Sequence, residues 1–439
     1  MGPNSGLPIQ LATYLSAILS IWLLYFLARK SRDAKSRSVH AAALEAGLAL
    51  PTSLHPVIDP IRCLGCGACA RVCPEGDVIG MVGGKAMLIE PSECIGHGAC
   101  KSACPRDAIT LVFGTAERGV DLPVVGPDFQ TNVPGLFIAG ELGGMGLIRN
   151  AIEQGRQAVT HIQQLTARRR STGLDLVIVG AGPAGFAASL GAIAGKLRFV
   201  TLEQDSFGGT VAHFPRGKLV MTAPSVLPIV GRMPFKEVGK EKLLAFWRKA
   251  ARTAGLEVNY GERVESVTAT PTGGFTVTTT KATYTTRTVL LATGRRGTPR
   301  RLDVPGEDLE KVVYRVIDPA QYRGKHCLVV GGGDSALEAA ASLAEEPGTR
   351  VTLAYRGPAF GRAKLKNRQR LESALQTGRL TALLNSHVVQ ILPHRVMITS
   401  DGRSHTLRND AVIVCAGGIL PSEFLKRSGV EIETKYGTR

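Results

Sequence analysis

The longest apolar stretch of the chain lies near its start and predicts a membrane-spanning helix. Leu7–Ala28 comprises 22 residues without a charged side chain, and at about 1.5 Å per residue such a helix spans the roughly 30 Å hydrocarbon core of a bilayer. Five basic residues follow it: Arg29, Lys30, Arg32, Lys35 and Arg37. Because basic flanks stay on the cytoplasmic side, we expect a single-pass anchor in the cell (inner) membrane, with the soluble domains in the cytoplasm. A cleaved signal peptide is the alternative, but it requires a basic segment before a shorter apolar one.

A second pattern, a buried strand followed by a glycine-rich turn and an Ala-rich helix, occurs at Asp175–Ala194. The glycines permit the tight turn, let a pyrophosphate approach the backbone, and let helix and strand pack closely, and the helix N-terminus offers free N–H groups to phosphates. The next strand ends in Glu203, an acid suited to the ribose hydroxyls of an adenine dinucleotide. The turn contains Gly180, Gly182, Pro183, Ala184 and Gly185, all expected to contact the cofactor, and the predicted helix runs from Phe186 to about Ala194. The pattern predicts dinucleotide binding; a glycine-rich turn in an unrelated α/β domain is the alternative.

The same pattern recurs at Cys327–Ala336, where the turn reads G-x-G-x-x-A. Its strand and helix predict a second nucleotide site at Gly331, Gly333, Asp334 and Ser335. The strand that follows, Arg350–Ala354, ends without an acid for a 2′-hydroxyl. Arg356, helped by Arg362 or Lys364, is suited to pair with a 2′-phosphate, which favours NADP over NAD. The alternative is that Arg356 is an ordinary surface arginine.

Composition narrows the classes of function. The chain has 439 residues and a formal net charge of +17, which fits contact with anionic lipid, a phosphorylated cofactor or an acidic electron-transfer partner, although a solvated basic surface is the simpler alternative. No recognition motif accompanies the charge, so we expect no nucleic-acid partner. Seven of the nine cysteines fall between Cys63 and Cys104. This clustering indicates cluster or metal ligation in a reducing compartment rather than a disulfide framework.

The clustered cysteines form two runs with the spacing of iron–sulfur ligands. The runs are Cys63-x-x-Cys66-x-x-Cys69-x-x-x-Cys73-Pro and Cys94-x-x-His97-x-x-Cys100-x-x-x-Cys104-Pro. Together they resemble a bacterial two-[4Fe–4S] ferredoxin domain over residues 57–112, in which the last cysteine of each run ligates the other cluster. That crossed ligation assigns Cys63, Cys66, Cys69 and Cys104 to the first cluster and Cys73, Cys94, Cys100 and position 97 to the second. A structural zinc site is the alternative.

His97 stands where the ferredoxin family has a cysteine, and three interpretations stay open. The imidazole ligates a [4Fe–4S] cluster, or the site holds a three-iron cluster with His97 as a bystander, or the second cluster is absent. A neutral imidazole in place of a thiolate removes negative charge, which makes reduction easier, as in Rieske centres. We therefore predict that the second cluster has the higher reduction potential.

A strand–turn–helix pattern at residues 114–165 precedes the first glycine fingerprint. It carries Thr131-x-x-Pro-Gly-x-Phe-Ile-Ala-Gly140-Glu141 and a predicted helix at Leu147–Leu165. This stretch resembles the closing segment of thioredoxin-reductase-like flavoproteins, where the turn meets the flavin ribityl chain. The resemblance implies that Gly140 and Glu141 contact FAD, although that family usually has Asp at the position of Glu141.

The resemblance extends over residues 114–439 and implies a circularly permuted reductase, with the joint at Arg168–Gly173. It implies further FAD contacts at Gly209, Thr210, Thr293 and Gly294. Thioredoxin reductases have a Cys-x-x-Cys pair about 15–20 residues before the second fingerprint, and the corresponding stretch here, Tyr314–Pro319, has no cysteine. The chain therefore resembles the dithiol-free branch: ferredoxin–NADP reductases of the thioredoxin-reductase type and bacillithiol-disulfide-reductase-like proteins.

The expected fold class is α/β, with two Rossmann-like dinucleotide-binding domains, a small α+β ferredoxin domain and an N-terminal transmembrane helix. The expected domains are the anchor at 1–30, a linker at 31–56 with a short helix at His40–Leu48, the ferredoxin domain at 57–112, the permuted FAD-domain segment at 113–167, the FAD domain at 174–305, the NAD(P)H domain at 306–412 and a return into the FAD domain at 413–439.

These expectations describe a membrane-anchored oxidoreductase that passes electrons between NAD(P)H, FAD and two iron–sulfur clusters, to or from an unidentified electron-transfer protein or membrane redox partner. A flavin exchanges electrons in pairs or singly, whereas a cluster carries one, and the chemistry belongs to the cofactors. We assign no protein acid or base to catalysis, because hydride transfer to flavin requires none in its first step. We also expect contact with membrane lipid and a homodimer. The alternatives are a small-thiol or disulfide reductase and a redox-sensing membrane module.

Overall fold

The computed structural model describes residues 7–45, 50–51, 54–117, 119–144, 146–166, 173–214, 216–222, 225–235, 237–271, 273–295, 298–360, 363, 365–419 and 421–437. The chain forms two compact units, Met1–Arg118 with Tyr436–Arg439, and Gly119–Lys435. Two of the predicted nucleotide-site residues, Arg362 and Lys364, lie outside the described residues, as does most of the expected joint at Arg168–Gly173.

The smaller unit begins with one long helix and continues with short strands around the cysteines. Its elements are α1 (Leu7–Glu45), β1 (His55–Ile58), α2 (Ala68–Arg71), β2 (Ile79–Val82), β3 (Lys85–Leu88), α3 (Ala99–Ser102) and β4 (Ile109–Val112). Strands β1 and β4 pair antiparallel, and β2 and β3 form a hairpin. Except for the exposed Cys66, the cysteine side chains of this unit pack in its core together with Val78, Ile79 and Ile109.

Helix α1 is longer than the sequence pattern predicts. Residues 31–45 were expected to form most of a linker, but they continue the helix without a break. The reason is packing: one face of this part of α1 buries Ser36 and Ala43, and these small polar or weakly apolar residues give little hydrophobic signal. In the described part of the chain, α1 is the one helix long and apolar enough to cross a membrane, and an 18-residue stretch of it has a mean hydropathy of 1.9. A signal sequence passes the same test.

The first half of the larger unit builds a seven-stranded sheet with helices against it. Its elements are β5 (Val120–Pro123), β6 (Leu136–Ile138), α4 (Ile148–Thr166), β7 (Leu174–Val179), α5 (Pro183–Ala194), β8 (Phe199–Glu203), β9 (Leu219–Met221), β10 (Val226–Leu227), β11 (Gly231–Arg232), β12 (Glu237–Gly239), α6 (Lys240–Thr253), β13 (Asn259–Tyr260), β14 (Val264–Ala269), β15 (Phe275–Thr279), β16 (Thr283–Leu291) and β17 (Thr298–Pro299). The strand order is β13-β8-β7-β16-β15-β14, and β6 also pairs with β16. We call this part the first lobe.

Strand β6 and helix α4, which precede the first glycine turn, are integral to the first lobe. Strand β6 lies parallel to β16, with Leu136 opposite Val289 and Ile138 opposite Leu291. Helix α4 buries its apolar face, including Ile162, in the same core as the fingerprint helix α5. The segment upstream of the fingerprint therefore completes the sheet and one helical layer of this lobe.

The second half of the larger unit builds a five-stranded parallel sheet, which we call the second lobe. The remaining elements are β18 (Val312–Val313), β19 (His326–Val330), α7 (Asp334–Glu345), β20 (Arg350–Ala354), α8 (Leu365–Gln376), β21 (Leu380–Leu383), β22 (Ser386–Leu392), β23 (Arg395–Ser400), β24 (Arg403–Arg408), β25 (Ala411–Val414), β26 (Gly418–Ile419), α9 (Ser422–Arg427) and β27 (Ile432–Lys435). The parallel sheet has the order β18-β25-β19-β20-β21, and β22, β23 and β24 form a separate antiparallel sheet.

The chain returns to the first lobe slightly later than the sequence predicts. The expected boundary at 412/413 falls inside β25, a buried strand that pairs with both β18 and β19. After that strand, Leu425 and Val430 pack into the core of the first lobe. Strand β27 then pairs antiparallel with β5, with Lys435 opposite Val120.

Candidate functional site

The parallel strands of the first lobe all end at one edge of the sheet, and the loops beyond that edge line a large cavity. The last residues of these strands are Ile138, Val179, Glu203, Tyr260 and Leu291. In open α/β sheets, ligands bind outside the carboxyl ends of the strands. The cavity has a volume of about 2300 Å³ and is also lined by the glycine loop of the second lobe. Because drug-sized ligands occupy about 300–1,000 Å³, this space is large enough for two dinucleotides.

The first glycine turn has the geometry that a phosphate-binding loop requires. Gly180 adopts a φ of 106°, and a Cβ atom at Gly185 would lie 1.7 Å from the carbonyl oxygen of Gly180. A side chain at Gly185 would therefore separate helix α5 from strand β7. Gly182 faces the cavity, and no protein atom would lie closer than 3.9 Å to a Cβ atom there. The open space beside Gly182 leaves room for a pyrophosphate at the helix N-terminus.

The buried carboxylate of Glu203 is held at the end of β8 by backbone donors. The N–H of Ala181 donates to Oε2 at 2.8 Å, and the N–H of Asp205 donates to Oε1 at 2.9 Å. These bonds orient the carboxylate beside the glycine turn, on the wall of the cavity. An acceptor in this position fits the ribose of an adenine dinucleotide.

The turn after β6 meets the fingerprint helix inside the same cavity. The N–H of Gly140 donates to Gln154 Oε1 at 2.7 Å, and a Cβ atom at Gly140 would lie 3.0 Å from the Cβ of Ala184. Glu141 lines the cavity next to this contact. Burial lowers the pKa of the neighbouring Arg295 guanidinium, an effect that the carboxylate of Glu141 opposes.

The glycine loop of the second lobe is similarly tight at its start and open at its end. Gly331 has a φ of 145°, and a Cβ atom there would lie 2.4 Å from the carbonyl oxygen of Cys415, whereas no protein atom lies within 4 Å of the equivalent point at Gly333. The Nδ2 atom of Asn367 donates to Asp334 Oδ1 at 2.7 Å. This bond fixes the first residue of helix α7 beside the open loop.

The residues after β20 form the far wall of the second nucleotide loop. The ring of Tyr355 covers Gly332, where a Cβ atom would lie 2.4 Å from the ring, and it stacks on Phe360 with ring centroids 5.6 Å apart. Arg356 is exposed and also lines the cavity. A cationic guanidinium therefore stands where the strand of a NAD-specific loop has an acid.

In the described part of the chain, three ion pairs join the two lobes, and two of them connect residues that line the cavity. Lys218 Nζ lies 3.0 Å from Glu338 Oε2, Arg315 Nη2 lies 2.8 Å from Asp205 Oδ2, and Arg216 Nη1 lies 3.6 Å from Asp318 Oδ2. Each pair connects residues more than a hundred positions apart in the chain. Sequence reasoning missed them because no local pattern reports which charges meet across lobes.

The cysteine-rich unit brings together several members of each predicted donor group. Cys73, Cys94, Cys100 and His97 line one small cavity, so the last cysteine of the first run lies near the residues of the second run. Cys69 interacts electrostatically with Cys63 and Cys66, which belong with it in the first group. The Nε2 atom of His97 is buried. Among the described residues, no group of three or more His, Cys, Asp or Glu side chains is arranged to hold a single metal ion.

The environment of the thiols fits a group that binds thiolates. Backbone N–H groups of Gly65 and Ala86 donate to Cys63 Sγ at 3.4 and 3.5 Å, and that of Ala108 donates to Cys104 Sγ at 3.3 Å. Such bonds to sulfur are among the factors that set cluster potentials. Burial raises the pKa of the Cys100 thiol to about 11, so iron would have to displace its proton. The donor set of soft sulfurs, most of them buried or half-buried, with N–H partners at Cys63 and Cys104, therefore fits iron–sulfur clusters.

Nearly all residues predicted for the nucleotide sites lie in the one large cavity. Gly185 packs beneath the turn instead, and Arg362 is outside the described residues. Those that line the cavity are Gly140, Glu141, Gly180, Gly182, Pro183, Ala184, Glu203, Gly209, Thr210, Thr293, Gly294, Gly331, Gly333, Asp334, Ser335 and Arg356. Tyr355 was missed, although an aromatic residue directly before the expected phosphate-binding arginine was a signal for it.

Comparison with known proteins agrees with both parts of the chain. Residues 177–438 match the family described as pyridine nucleotide-disulphide oxidoreductase, and residues 55–105 match the 4Fe-4S dicluster domain. The bacilliredoxin reductase of Bacillus subtilis (strain 168) is 28% identical over 60% of this chain and 82% of its own length. The ferredoxin–NADP reductase of Ignicoccus hospitalis is also 28% identical, over 60% of this chain and 83% of its own.

Solved structures give the same relationship. The bacillithiol disulfide reductase of Bacillus cereus superposes with a TM-score of 0.51 and 27% identity, covering 58% of this chain and 81% of that one. The resemblances to thioredoxin-reductase-like flavoproteins and to a two-cluster ferredoxin domain are thereby confirmed. The chain belongs to the pyridine nucleotide-disulphide oxidoreductase family, and it is a flavin-dependent oxidoreductase that also carries a 4Fe-4S dicluster domain.

Proposed function

We propose that this protein is an NAD(P)H-linked electron-transfer reductase in which FAD and iron–sulfur clusters of the same chain exchange electrons with a separate redox partner. FAD, when bound, supplies a group that exchanges two electrons with nicotinamide as hydride and exchanges electrons singly with clusters. Ferredoxin–NADP reductases are among the relatives of this chain. The partner and the direction of electron flow are left open by this proposal.

One observation carries the proposal: the flavoprotein unit lacks a redox-active dithiol, while the dicluster domain supplies eight candidate donors. The cysteines outside the two runs are Cys327 and Cys415, which stand 88 positions apart. Cys327 is buried, and burial raises its pKa to about 12, so it is poorly suited to nucleophilic chemistry. Without a dithiol relay, the clusters are the route by which electrons reach or leave the flavin.

The residues of the first lobe would bind and orient FAD. The N-terminus of α5 at Gly182 and Pro183 would hold the pyrophosphate, and the backbone-held carboxylate of Glu203 would accept hydrogen bonds from the ribose. The turn at Gly140 and Glu141, together with Gly209, Thr210, Thr293 and Gly294, would surround the ribityl chain and the ring system. No protein proton donor is required, since hydride moves directly between nicotinamide and flavin.

The second lobe would bind the nicotinamide nucleotide, with a preference for NADPH. Gly331, Gly333, Asp334 and Ser335 surround the position of a pyrophosphate, and Arg356 offers its guanidinium to a 2′-phosphate. The exposure of Arg356 on the cavity wall and the lack of an acid after β20 support this preference.

We also propose that the flavoprotein part is circularly permuted, with residues 113–167 as the family's closing segment. The pairing of β6 with β16 and of β27 with β5 supports this proposal. Near the expected joint, Arg287 Nη1 donates to the carbonyl oxygen of Thr166 at 2.9 Å, and Thr286 lies opposite Leu174. A rearranged chain in which Lys435 leads through a short turn into Val120 should fold and bind FAD. If the rearranged chain does not bind FAD while the protein with the native chain order does, the result argues against permutation.

We further propose that Leu7–Ala28 spans the cell (inner) membrane and that residues from Arg29 onward lie in the cytoplasm. The exposed apolar surface of this segment and the basic cluster after it support the proposal. Cleavage of the N-terminus in mature protein, detected by mass spectrometry, would instead identify a signal sequence.

For the dicluster domain we propose crossed ligation, with His97 as the fourth ligand of the second cluster. The shared cavity of His97 with Cys73, Cys94 and Cys100 supports this assignment. Two four-iron clusters correspond to roughly eight iron atoms per chain, and a three-iron or missing second cluster gives fewer. Iron analysis with Mössbauer spectroscopy separates the three interpretations.

The proposed function is tested by anaerobic titration of the full-length protein with NADPH, followed by optical and electron paramagnetic resonance spectroscopy. The expected result is that added NADPH reduces the flavin and then produces the signal of a reduced cluster. If NADPH reduces the flavin but the clusters stay oxidised at solution potentials below their own midpoint potentials, electron transfer between flavin and clusters is excluded.

A small-thiol or disulfide reductase is the second candidate. The similarity to bacilliredoxin reductase and bacillithiol disulfide reductases favours it. Cys415, which lines the cavity next to Gly331, also favours it. NADPH-dependent reduction of bacillithiol disulfide, lost in Cys415→Ser and unaffected by removal of iron, would support this candidate over electron transfer through clusters.

A further inference from the structure

Helix α1 joins the apolar segment directly to the cysteine-rich unit. Beyond Ala28 the helix continues without a break and packs on the β2–β3 hairpin. The N–H of Gly83 donates to Asp33 Oδ1 at 2.6 Å, and the N–H of Met81 donates to Ser36 Oγ at 3.2 Å. The tip of the hairpin is therefore fixed at the level of the helical turns that follow the apolar segment.

The loop that carries the first cysteines lies against this hairpin tip. We define the Cys63 loop as residues 59–67. A Cβ atom at Gly84 would lie 2.6 Å from Arg29 Nη2, and one at Gly65 would lie 2.0 Å from the carbonyl oxygen of Gly84. Lys85 Nζ also donates to the carbonyl oxygen of Cys63 at 2.6 Å. The backbone of Gly84 therefore lies between the Cys63 loop and the side chain of Arg29.

These contacts fix the height of the Cys63 loop relative to the apolar segment. From Ala28 to Asp33 the helix rises about 7.5 Å, at roughly 1.5 Å per residue. The headgroup layer of a bilayer extends roughly 5–8 Å beyond each face of the hydrocarbon core. If Leu7–Ala28 fills the core, the hairpin tip and the loop against it fall within the headgroup layer.

The chemistry of the Cys63 loop suits that environment. Ile61 is 91% exposed and Leu64 is 67% exposed, and Val72, directly after α2, is 42% exposed. Exposed Arg62 and Arg71 add positive charge, and Arg71 Nη1 donates to the carbonyl oxygen of Cys66 at 3.1 Å. Two acids near the loop have partners: Asp59 accepts from the N–H of Ile61 at 2.9 Å, and Asp77 pairs with Lys35 at 2.6 Å. Apolar tips flanked by basic side chains are typical of contact with an anionic lipid surface.

We propose that the Cys63 loop docks into the headgroup layer of an anionic phospholipid bilayer, with Ile61 and Leu64 inserted among the lipids and Arg62 and Arg71 against the phosphates. This inference rests on the proposed membrane span of Leu7–Ala28. It places the first donor group of the dicluster domain at the membrane face rather than in the aqueous phase. The exposed apolar side chains then have a function in orienting the domain, which a free ferredoxin domain would not need.

The test is site-specific photo-crosslinking in the full-length, cofactor-loaded protein, reconstituted in vesicles that contain phosphatidylglycerol. The photoreactive residue p-benzoylphenylalanine replaces Ile61 or Leu64 in separate variants. Trp22 within the apolar segment is the positive control. Tyr436, which is half exposed and belongs to the same unit, is the matched negative control. The N–H of its neighbour Gly437 donates to the carbonyl oxygen of Phe113, just after β4, whereas the N–H of Asp59 in the Cys63 loop donates to Ala108, just before β4. The control and the loop therefore lie at opposite ends of this strand. Unchanged iron and flavin content establishes that each variant is folded.

The proposal predicts phospholipid adducts at positions 61 and 64 that are roughly tenfold more abundant than at 436, together with adducts at 22. Adducts at 22 without adducts at 61 or 64 overturn the proposal while leaving the membrane span intact. Crosslinks from 61 or 64 to protein also overturn it, because another chain then covers the loop. A lack of adducts at every site, including 22, overturns both this proposal and the span, but it leaves NADPH-dependent reduction of flavin and clusters untouched.

Discussion

Gly155 of helix α4 lies directly against the backbone of Ala184 in the fingerprint helix α5: a Cβ atom at Gly155 would lie 2.1 Å from the Ala184 carbonyl oxygen. This contact joins the segment upstream of the fingerprint to the first turn of the phosphate-binding helix. The contact means that the position of α5, and therefore of the proposed FAD pyrophosphate site, depends on a helix that precedes it in the chain.

Substitution of Gly155 by leucine should release FAD. The added side chain forces α4 away from Ala184, and overpacking of this kind costs about 1–3 kcal/mol or more. We expect flavin content to fall well below that of the native protein, with iron content retained. Thr160→Leu on the exposed face of α4 is the control and should retain flavin. Full flavin occupancy in Gly155→Leu would contradict the dependence of the site on α4.

The two open glycines should separate the two nucleotide sites. Gly182→Ala and Gly333→Ala each add a methyl group where the protein itself offers space, so both variants should fold. Gly182→Ala should weaken FAD binding by roughly tenfold, because the methyl group obstructs the pyrophosphate. Gly333→Ala should retain flavin and raise the KM for NADPH. Flavin fluorescence after denaturation and steady-state kinetics provide the two readouts, and an exchange of these phenotypes would refute our assignment of the loops.

Arg356 should determine the preference for NADPH. Hydrogen bonds to a charged group contribute about 1.5–3 kcal/mol, so Arg356→Gln should raise the KM for NADPH by roughly 10–100-fold and leave that for NADH nearly unchanged. Arg350→Gln, at the other end of the same strand, is the matched control. A parallel loss of activity with both nucleotides would indicate a structural role for Arg356 instead.

His97→Cys should lower the midpoint potential of the second cluster. A thiolate in place of imidazole adds negative charge, and comparison with Rieske centres suggests a decrease on the order of 100 mV. Redox titration monitored by electron paramagnetic resonance measures this change, with the signal of the first cluster as an internal control. An unchanged potential with unchanged iron content would show that His97 is not a ligand.

The sequence predicts the nucleotide loops well because their physics is local. The glycine spacing and the strand Arg350–Ala354 depend on contacts within about 30 residues of sequence. Helix α5 begins at Pro183, three residues before the predicted start at Phe186. The helical continuation through residues 31–45 was missed because Ser36 and Ala43 are buried without forming an apolar stripe. The Lys218–Glu338 pair was missed for another reason: a charge on a loop gives no sign of its partner in a distant lobe.

The most direct test of electron transfer within the chain is anaerobic stopped-flow spectroscopy of the full-length protein mixed with NADPH. The account predicts that flavin absorbance falls first and that the broad iron–sulfur absorbance falls afterwards, with slower reduction by NADH. Bleaching of the cluster bands ahead of the flavin, or flavin reduction with no later change in those bands, would contradict it.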